Sequence, residues 1–250
     1  MQIKQVVVLI PAYNAAKTIE SVVKKIDRQL VNKVIIVNDG SKDNSAEVLN
    51  AIENVDVVTH YQNKGYGATT KTLYHEALKS DGDYFVCVHA DEGHDPNDIP
   101  KLLEFLESGE ADIIVGARTQ GIFEKAPLIL KSRLLGAIFS GDMPFHKFIF
   151  NLLLTKFQNF CYGTNFNTFH SGYRACNRQA LEIIAFNQLT DWYQYDTEFL
   201  VAAHEKNLKV AETPVVPFYS DDAGSSVPAV TYGLIILASA FNYWRKKTFS

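Results

Sequence analysis

The chain has few cysteines, no long apolar run and no excess of positive charge. Its 3 cysteines form no CxxC-type pair, and an odd number at scattered positions (Cys87, Cys161 and Cys176) is typical of reduced, intracellular thiols. The apolar stretch at 232–244 is shorter than the roughly 20 residues that cross a bilayer, and the apolar run at 6–11 lacks the length and cleavage site of a secretory signal. We therefore expect a cytoplasmic protein without a transmembrane helix. The formal net charge of −4 argues against nucleic acid as a partner, because nucleic-acid binding needs a basic surface.

Strand and helix signals alternate through the first half of the chain. Short β-branched or apolar runs predict strands at 6–10, 34–37, 55–61, 84–90 and 111–118. Helical spacing of the apolar residues between these runs predicts intervening helices. Strands and helices that alternate in this way predict an α/β fold, in which a mostly parallel central sheet carries helices on both faces.

The second half of the chain has a different pattern. The segment at 121–162 is rich in Phe, Leu and Ile and is expected to be helical. The segment HSGYRACNRQALEII predicts a loop that leads into a helix, and DTEFLVAAHEKN predicts a further helix. VAETPVVPFY is predicted as a strand, and SDDAGSSVP as a loop.

Polar clusters follow the first, second and fourth predicted strands, as PAYN, NDGS and HADEGHD. Ligands of open parallel sheets bind beyond the carboxyl ends of the strands, so these clusters predict one shared crevice. Asp39 in NDGS can accept a hydrogen bond from a base N–H or a ribose hydroxyl. Asp91 and its neighbours offer ligands for Mg²⁺ or Mn²⁺, which would neutralise a diphosphate leaving group. Arg118, at the end of the fifth strand, offers a second cation.

Several of these residues also have a purely structural interpretation. Asp39 can serve as a turn former, and Asp91 as a helix cap, although Asp95 directly before Pro96 fits that cap better. The segment GYGATT is a poor dinucleotide-binding fingerprint, because Thr70 replaces the third glycine and the segment follows the third strand. We expect its glycines instead to let the backbone approach another loop.

The ordered set of motifs resembles the family 2 glycosyltransferases, which have the nucleotide-sugar-binding fold called GT-A. The matching segments are IPAYNAAKTIESVV, VIIVNDGSKDNS, NKGYGAT, HADEGHDP, IVGAR and HSGYRACNRQALE. The likeness covers roughly 6–227, and within the family the chain is similar to the branch of dolichyl-phosphate mannose synthases and related bacterial and archaeal surface-glycan enzymes. It implies one GT-A domain at 1–228, with a nucleotide-sugar half at about 1–118 and an acceptor half at about 119–228. An amphipathic or packing helix is expected at 229–250.

The resemblance implies an inverting glycosyltransferase that uses a nucleotide-diphosphate sugar together with Mg²⁺ or Mn²⁺. It implies metal ligation by Asp91, with His89 as a second candidate ligand, and catalytic roles for Asp91, Arg118 and His170. The implied nucleotide-sugar-binding residues are Pro11, Tyr13, Asn14, Asp39, Lys64, His89, Ser171 and Arg174. The first three of these would frame the base, and the last two would lie near the diphosphate or an anionic acceptor.

The chain departs from the family pattern at His89, where relatives carry the first Asp of a DxD motif, and at Gly93, where relatives often carry Gln. Many inverting relatives also carry an acidic general base just before HSGYR, where this chain has Thr168 and His170. A hydroxyl acceptor needs a base, whereas a phosphate acceptor is already ionised. The sequence therefore favours a polyprenyl-phosphate acceptor over a glycan hydroxyl, for which His170 is the candidate base. The same departures leave open a catalytically silent nucleotide-sugar-binding scaffold protein of a glycan-assembly pathway.

Two apolar segments, at 122–160 and 232–247, have interpretations that the sequence leaves open. They can form core, an interface between copies of the chain in a homo-oligomer, or a peripheral platform on the inner face of the cell membrane. The membrane interpretation depends on the interspersed cations Lys131, Arg133, Lys147 and Lys156. It also depends on the aromatic and basic residues that end the second segment.

Overall fold

The computed structural model describes residues 4–118, 145–215 and 229–249. The chain divides into two compact units. The sheet unit comprises Met1–Gly116 and His170–Ala223, and the helical unit comprises Ala117–Phe169 and Gly224–Ser250. The division of the chain into halves near 118 stays a prediction. The expectations for 119–144 and for the SDDAGSSVP loop lie outside the described residues.

Among the described residues, 7 strands form one sheet with the order β3-β2-β1-β4-β6-β5-β7. Its strands are β1 Val6–Ala12, β2 Lys33–Asn38, β3 Asp56–Thr59, β4 Tyr84–Cys87, β5 Ile113–Arg118, β6 Arg174–Asn177 and β7 Val210–Val215. The β1–β2, β1–β4 and β2–β3 pairs are parallel, while β6 runs antiparallel to both β4 and β5. The predicted α/β class with a mostly parallel sheet is confirmed.

The strand β6 was missed by the sequence analysis, which predicted a loop for the same residues. Arg174 and Asn177 at its ends are polar, and the strand has no continuous apolar run. It is nevertheless central, because Cys176 pairs with Phe85 of β4 and with Ile113 of β5. A short antiparallel strand between two others is stabilised by its neighbours, so its own sequence carries little strand signal.

Helices alternate with the strands along the chain, as the periodicity predicts. They are α1 Ile19–Lys24, α2 Ser45–Ala51, α3 Tyr66–Lys79, α4 Ile99–Glu107, α5 Phe145–Tyr162, α6 Arg178–Ile183, α7 Tyr195–Glu205 and α8 Ala229–Phe249. In α4, Ile99, Leu102, Leu103 and Leu106 are buried, which is the i, i+3, i+4, i+7 spacing of a helix with one face in the core. The α8 helix occupies the place where a C-terminal helix was expected.

The position of β1 determines where a ligand can bind to the sheet. After β1 the chain adds β2 and β3 on one side, and it later adds β4 on the other side of β1. The order of the strands therefore reverses at β1. In open α/β sheets such a reversal leaves a crevice at the carboxyl ends of the strands, where the loops diverge.

The helical unit contains α5 and α8, which pack against each other. Ile236 and Ala240 of α8 are fully buried, and the rings of Tyr162 and Tyr243 meet at a centroid distance of 5.0 Å. Among the helices that the structure describes, none is both long and apolar enough to cross a membrane.

Candidate functional site

The loops that follow β1 and β2 are joined by hydrogen bonds. The amide of Asn14 donates to Ser41 Oγ at 2.9 Å, and Lys42 N donates to Asn14 Oδ1 at 2.8 Å. Ala15 N donates to Ser45 Oγ at 2.8 Å. Asn14 has a φ of +51°, a left-handed conformation that asparagine tolerates better than most residues. The predicted PAYN and NDGS clusters therefore form one surface.

Pro11 and Tyr13 lie at the end of β1 and directly after it. Pro11 is half-buried within the strand, while Tyr13 is 39% exposed. An exposed aromatic ring beside a strand end is available to stack on a planar ligand. Their predicted contact with a nucleoside base stays a prediction.

Asp39, which follows β2, is a buried carboxylate whose two oxygen atoms both accept hydrogen bonds. Its Oδ1 accepts from Lys64 N at 2.9 Å and lies 2.7 Å from His60 Nδ1, and its Oδ2 accepts from Gly65 N at 3.0 Å. The other ring nitrogen of His60 lies 3.0 Å from Thr72 Oγ1. Lys64 thus contacts Asp39 through its backbone, and its side chain is exposed. His60 was not predicted as a site residue, although it is also a polar residue at a strand end.

Asp91 lies in the loop after β4, and its side chain is exposed. Its Oδ1 accepts a hydrogen bond from Gly93 N at 2.9 Å, which fixes the carboxylate in a local turn. On one side of Asp91, the carbonyl of Ala90 accepts from Thr18 Oγ1 at 2.6 Å. Asp95, in contrast, accepts from Asn97 N and so has the capping role that was expected for it.

On the other side of Asp91, Glu92 is held by α1 and the residue that follows it. Ser21 Oγ donates to Glu92 Oε1 at 2.5 Å, and Lys25 Nζ lies 3.3 Å from the same oxygen. The hydrogen bond from Ser21 is the main cause of a lowered pKa of Glu92. Asp91 therefore lies between two residues that are both tethered to the α1 segment, a contact that the sequence alone does not reveal.

His89, two residues after β4, is half-buried. Its Nε2 lies 3.4 Å from Tyr66 Oη, and Tyr66 Oη donates to Asp196 Oδ1 at 3.0 Å. Because a tyrosine hydroxyl has a single proton, the Tyr66–His89 contact requires Nε2–H as the donor. A side chain at Gly172 would overlap His89 Nε2 and lie 2.6 Å from Tyr66 Oη. A metal ion would have to bind His89 through Nδ1, and His89 as a ligand stays a prediction.

Arg174 is buried, and its guanidinium forms an ion pair with Asp196. The guanidinium carbon lies 4.7 Å from the ring centre of Phe199, a cation–π distance. Its charge is directed at a carboxylate inside the protein. A contact with a diphosphate or an acceptor stays a prediction for Arg174.

Ser171 and His170 precede β6. Ser171 is buried and donates to the carbonyl of Gly116 at 2.6 Å, so its hydroxyl connects this segment to β5. Burial lowers the pKa of His170 to about 4, although the nearby charge of Asp196 opposes this shift. His170 is therefore neutral at physiological pH, and an imidazole with so low a pKa is a weak general base.

The glycines of NKGYG allow the close approach that was expected for them. A side-chain carbon at Gly65 would lie 2.5 Å from the carbonyl oxygen of Asp191, and one at Gly67 would lie 2.7 Å from the carbonyl carbon of the same residue. Ala68 N donates to that Asp191 carbonyl at 3.2 Å. This prediction is confirmed, because only residues without a side chain fit where the α3 N-terminus meets the segment before α7.

Asp91 is the predicted metal ligand of the site. Among the described residues, no group of three or more His, Cys, Asp or Glu side chains is placed to hold a metal ion. Mg²⁺ and similar cations are commonly held by one or two carboxylates together with substrate phosphates, so the exposed Asp91 fits a cation that arrives with a diphosphate. Arg118 ends β5, but its side chain lies outside the part of the structure that is described.

Comparison with known protein families gives a match over most of the sheet unit. The family model described as "Glycosyl transferase family 2" matches residues 7–184. The chain is 29% identical over 235 residues to the UDP-N-acetylglucosamine–dolichyl-phosphate N-acetylglucosaminyltransferase of Methanococcus voltae, covering 87% of each protein. It is 31% identical over 201 residues to the low-salt glycan biosynthesis hexosyltransferase Agl6 of Haloferax volcanii, covering 80% of this chain and 43% of that protein.

Solved structures of similar fold include glucosyl-3-phosphoglycerate synthase from Mycobacterium tuberculosis in complex with Mn²⁺, uridine diphosphate and glucosyl-3-phosphoglycerate. The TM-score is 0.65 at 18% identity, and the match covers 96% of this chain and 80% of that chain. The same enzyme, in complex with Mg²⁺ and uridine diphosphate, matches with a TM-score of 0.62 at 18% identity, covering 96% of this chain and 79% of that chain. At this identity the likeness concerns the fold.

Proposed function

Because the chain belongs to glycosyl transferase family 2 and has the GT-A fold, we propose that this glycosyltransferase moves a sugar from a nucleotide-diphosphate donor to a polyprenyl phosphate. The proposal includes inversion at the anomeric carbon and a requirement for Mg²⁺ or Mn²⁺. The observation that supports it most directly is the position of Asp91. This exposed carboxylate lies between Ala90 and Glu92, which both accept hydrogen bonds from the α1 segment. A fixed, exposed carboxylate next to the strand reversal is what a nucleotide-borne cation requires.

In the proposed complex, the nucleoside lies against the loops after β1 and β2, with Tyr13 beside the base and Asp39 as a hydrogen-bond acceptor. Asp91 binds the cation that accompanies the diphosphate. That cation, when bound, offsets the negative charge that develops on the leaving diphosphate. Asp39 and Asp91 follow strands on opposite sides of β1, which supports a single ligand that spans the reversal.

The proposed transfer is a direct displacement. An oxygen atom of the acceptor phosphate forms the new bond to the anomeric carbon from the face opposite the leaving group. The bond from that carbon to the diphosphate oxygen breaks, and its electron pair leaves with the diphosphate. Because the acceptor phosphate is already ionised, no general base is needed.

The choice of a phosphate acceptor follows from the surroundings of His170. With a pKa of about 4, this imidazole is poorly matched to removing a proton from a glycan hydroxyl at neutral pH. The Methanococcus voltae relative, which the chain covers to 87%, is named for a dolichyl-phosphate acceptor. A glycan acceptor remains the second candidate, and the Agl6 relative is named for glycan biosynthesis. A silent scaffold protein has no support in these comparisons.

A contact with the membrane surface is the second part of the proposal, because a polyprenyl phosphate is anchored in lipid. On α8, Leu234 is 63% exposed and Phe241 is 49% exposed, and their i, i+7 spacing places them on one face. Trp244 joins Phe241 to Phe160 of α5, with ring centroids 5.7 and 6.3 Å apart. Arg245 is exposed beside them. Aromatic rings next to a cation are typical of helices at a lipid headgroup layer.

The proposed reaction can be tested with the purified chain, Mn²⁺ and a polyprenyl phosphate in detergent or vesicles. Radiolabelled uridine-diphosphate and guanosine-diphosphate sugars serve as donors, and the products are extracted into organic solvent. We expect label in the organic phase only when polyprenyl phosphate is present. Transfer to an added oligosaccharide but not to the lipid would assign the glycan acceptor instead. No transfer from any donor to either acceptor would refute the proposal.

A further inference from the structure

The hydrogen bonds that the described residues make to Asp39 leave one acceptor position on its carboxylate. A carboxylate has about four lone-pair positions, two on each oxygen. Lys64 N and His60 Nδ1 take both positions of Oδ1, at 2.9 and 2.7 Å. Gly65 N takes one position of Oδ2, at 3.0 Å. Among the contacts that the described residues make, the remaining acceptor position is therefore on Oδ2.

His60 is the side chain that determines which oxygen of Asp39 keeps an acceptor position. It is buried, and its ring is held between Asp39 and α3, since Nε2 lies 3.0 Å from Thr72 Oγ1. An ionised carboxylate can only accept, so the ring must carry its proton on Nδ1. A hydrogen bond to a charged partner is stronger than one between neutral groups, and a buried ring has little freedom to leave it.

We propose that His60 is a positioning residue for nucleoside binding: it holds Asp39 so that Oδ2 presents its remaining lone pair to an N–H or O–H donor of the nucleoside. This inference rests on the proposed nucleotide-sugar donor and goes beyond it, because it assigns the orientation of Asp39 to a side chain of the β3–α3 connection. The backbone amides of Lys64 and Gly65 hold the carboxylate from the same connection. Without His60, Oδ1 regains an accepting position and the carboxylate can rotate.

The chain offers a matched pair of variants for this idea. In His60→Asn, the amide nitrogen occupies roughly the place of Nδ1 and still donates to Asp39. In His60→Gln, the amide reaches the place of Nε2 and donates to Thr72 instead. Both variants keep a polar, hydrogen-bonding side chain at the buried position, which limits the loss of stability. Thermal unfolding verifies that each variant is folded.

The test compares uridine diphosphate and guanosine diphosphate with inorganic pyrophosphate, each titrated calorimetrically in the presence of Mn²⁺. Pyrophosphate has no nucleoside, so a defect in orienting Asp39 does not affect it. We expect His60→Gln to weaken the binding of the preferred nucleoside diphosphate about tenfold, the worth of one hydrogen bond to a charged group. His60→Asn should stay near the wild type, and pyrophosphate should bind alike to all three proteins.

The inference is overturned if His60→Gln binds the nucleoside diphosphate as the wild type does, or if it loses affinity for pyrophosphate to the same extent. If His60→Gln does not fold, Thr72→Val replaces it in the comparison, because this variant removes the partner of His60 Nε2 and frees the ring. The inference is then overturned if the affinities of Thr72→Val for the nucleoside diphosphate and for pyrophosphate change by the same factor relative to the wild type. A failure of the proposed donor site can be distinguished from a failure of the inference about His60. In that case Asp39→Asn leaves nucleoside diphosphate binding unchanged, or the wild type binds neither nucleotide.

Discussion

Ser21 donates a 2.5 Å hydrogen bond to Glu92, the residue that follows Asp91 in the chain. Glu92 has a φ of +58°, a left-handed conformation that a residue of its size adopts only when its surroundings hold it. The bond from α1 thus supports an unusual backbone geometry directly beside the proposed metal ligand. Residues that orient a ligand from behind tune metal affinity without touching the metal.

We therefore predict that Ser21→Ala weakens the binding of Mn²⁺ together with a nucleoside diphosphate by about tenfold. The physical reason is that Glu92 loses its main hydrogen bond, so the Asp91 loop becomes less ordered. Calorimetric titration of Mn²⁺ in the presence of the nucleotide measures the effect. Glu20→Ala is the control, because Glu20 is on the same helix and forms an ion pair with Lys24 at the surface. Equal affinities for Ser21→Ala and Glu20→Ala would contradict the role of Ser21.

Gly172→Ala is predicted to destabilise the protein. The added methyl group would overlap His89 Nε2 and crowd Tyr66 Oη, and relief of such overpacking costs about 1–3 kcal/mol. Urea denaturation measures the free energy of unfolding. His89→Ala removes the overlapping ring, so the double variant should lose less stability than the two single losses added together. Strict additivity would show that the two residues do not crowd each other.

The stability of the protein should depend on pH through His170. Burial lowers the pKa of His170 to about 4, below the ordinary 6.5, with Asp196 opposing the shift. Between these values the unfolded chain binds a proton that the folded protein does not, so the free energy of unfolding falls as pH falls from about 6.5 to about 4. His170→Gln should show a shallower decrease in urea denaturation at pH 7, 6 and 5. Parallel curves for the two proteins would contradict a lowered pKa of His170 in the folded protein.

Phe241→Glu is predicted to reduce binding to anionic lipid vesicles. The substitution places a negative charge on the exposed face of α8 and removes an aromatic side chain whose burial in lipid contributes about 1.5–3 kcal/mol, which corresponds to about tenfold or more in affinity. Vesicle co-sedimentation measures the change. Tyr61→Glu is the control, because Tyr61 is fully exposed in the sheet unit. If Phe241→Glu instead converts a dimer to a monomer in size-exclusion chromatography, this face is an interface between copies of the chain.

The sequence predicted the parts of the fold that have a strong local pattern. The buried run in β1 and the i, i+3, i+4, i+7 spacing in α4 each determine one element from neighbouring residues alone. The polar ends of the strands likewise identified Asp39 and Asp91 as candidates. The antiparallel β6 was missed, since a short strand with Arg174 at its start is stabilised by β4 and β5 and not by its own composition.

The contacts behind the candidate residues could not be predicted, because they connect residues that are distant in the chain. His60 meets Asp39 only once β3 lies beside β2, and Tyr66 meets Asp196 only once α3 and α7 are in place. No spacing rule relates such pairs. The same holds for the position of the His89 ring, which depends on the absence of a side chain at Gly172.

The most direct test of the proposed function is the rate of lipid-linked product formation by Asp91→Ala. Asp91 is exposed, and its loop is held by its neighbours, so the variant should stay folded with a small decrease in melting temperature, because Gly93 N loses its acceptor. Asp95→Asn, in the same loop, is the control and should stay active. We predict that Asp91→Ala lowers turnover from nucleotide sugar to polyprenyl phosphate about a hundredfold or more, because the charge of the leaving diphosphate is no longer offset. Turnover at the wild-type rate in Asp91→Ala would contradict the account.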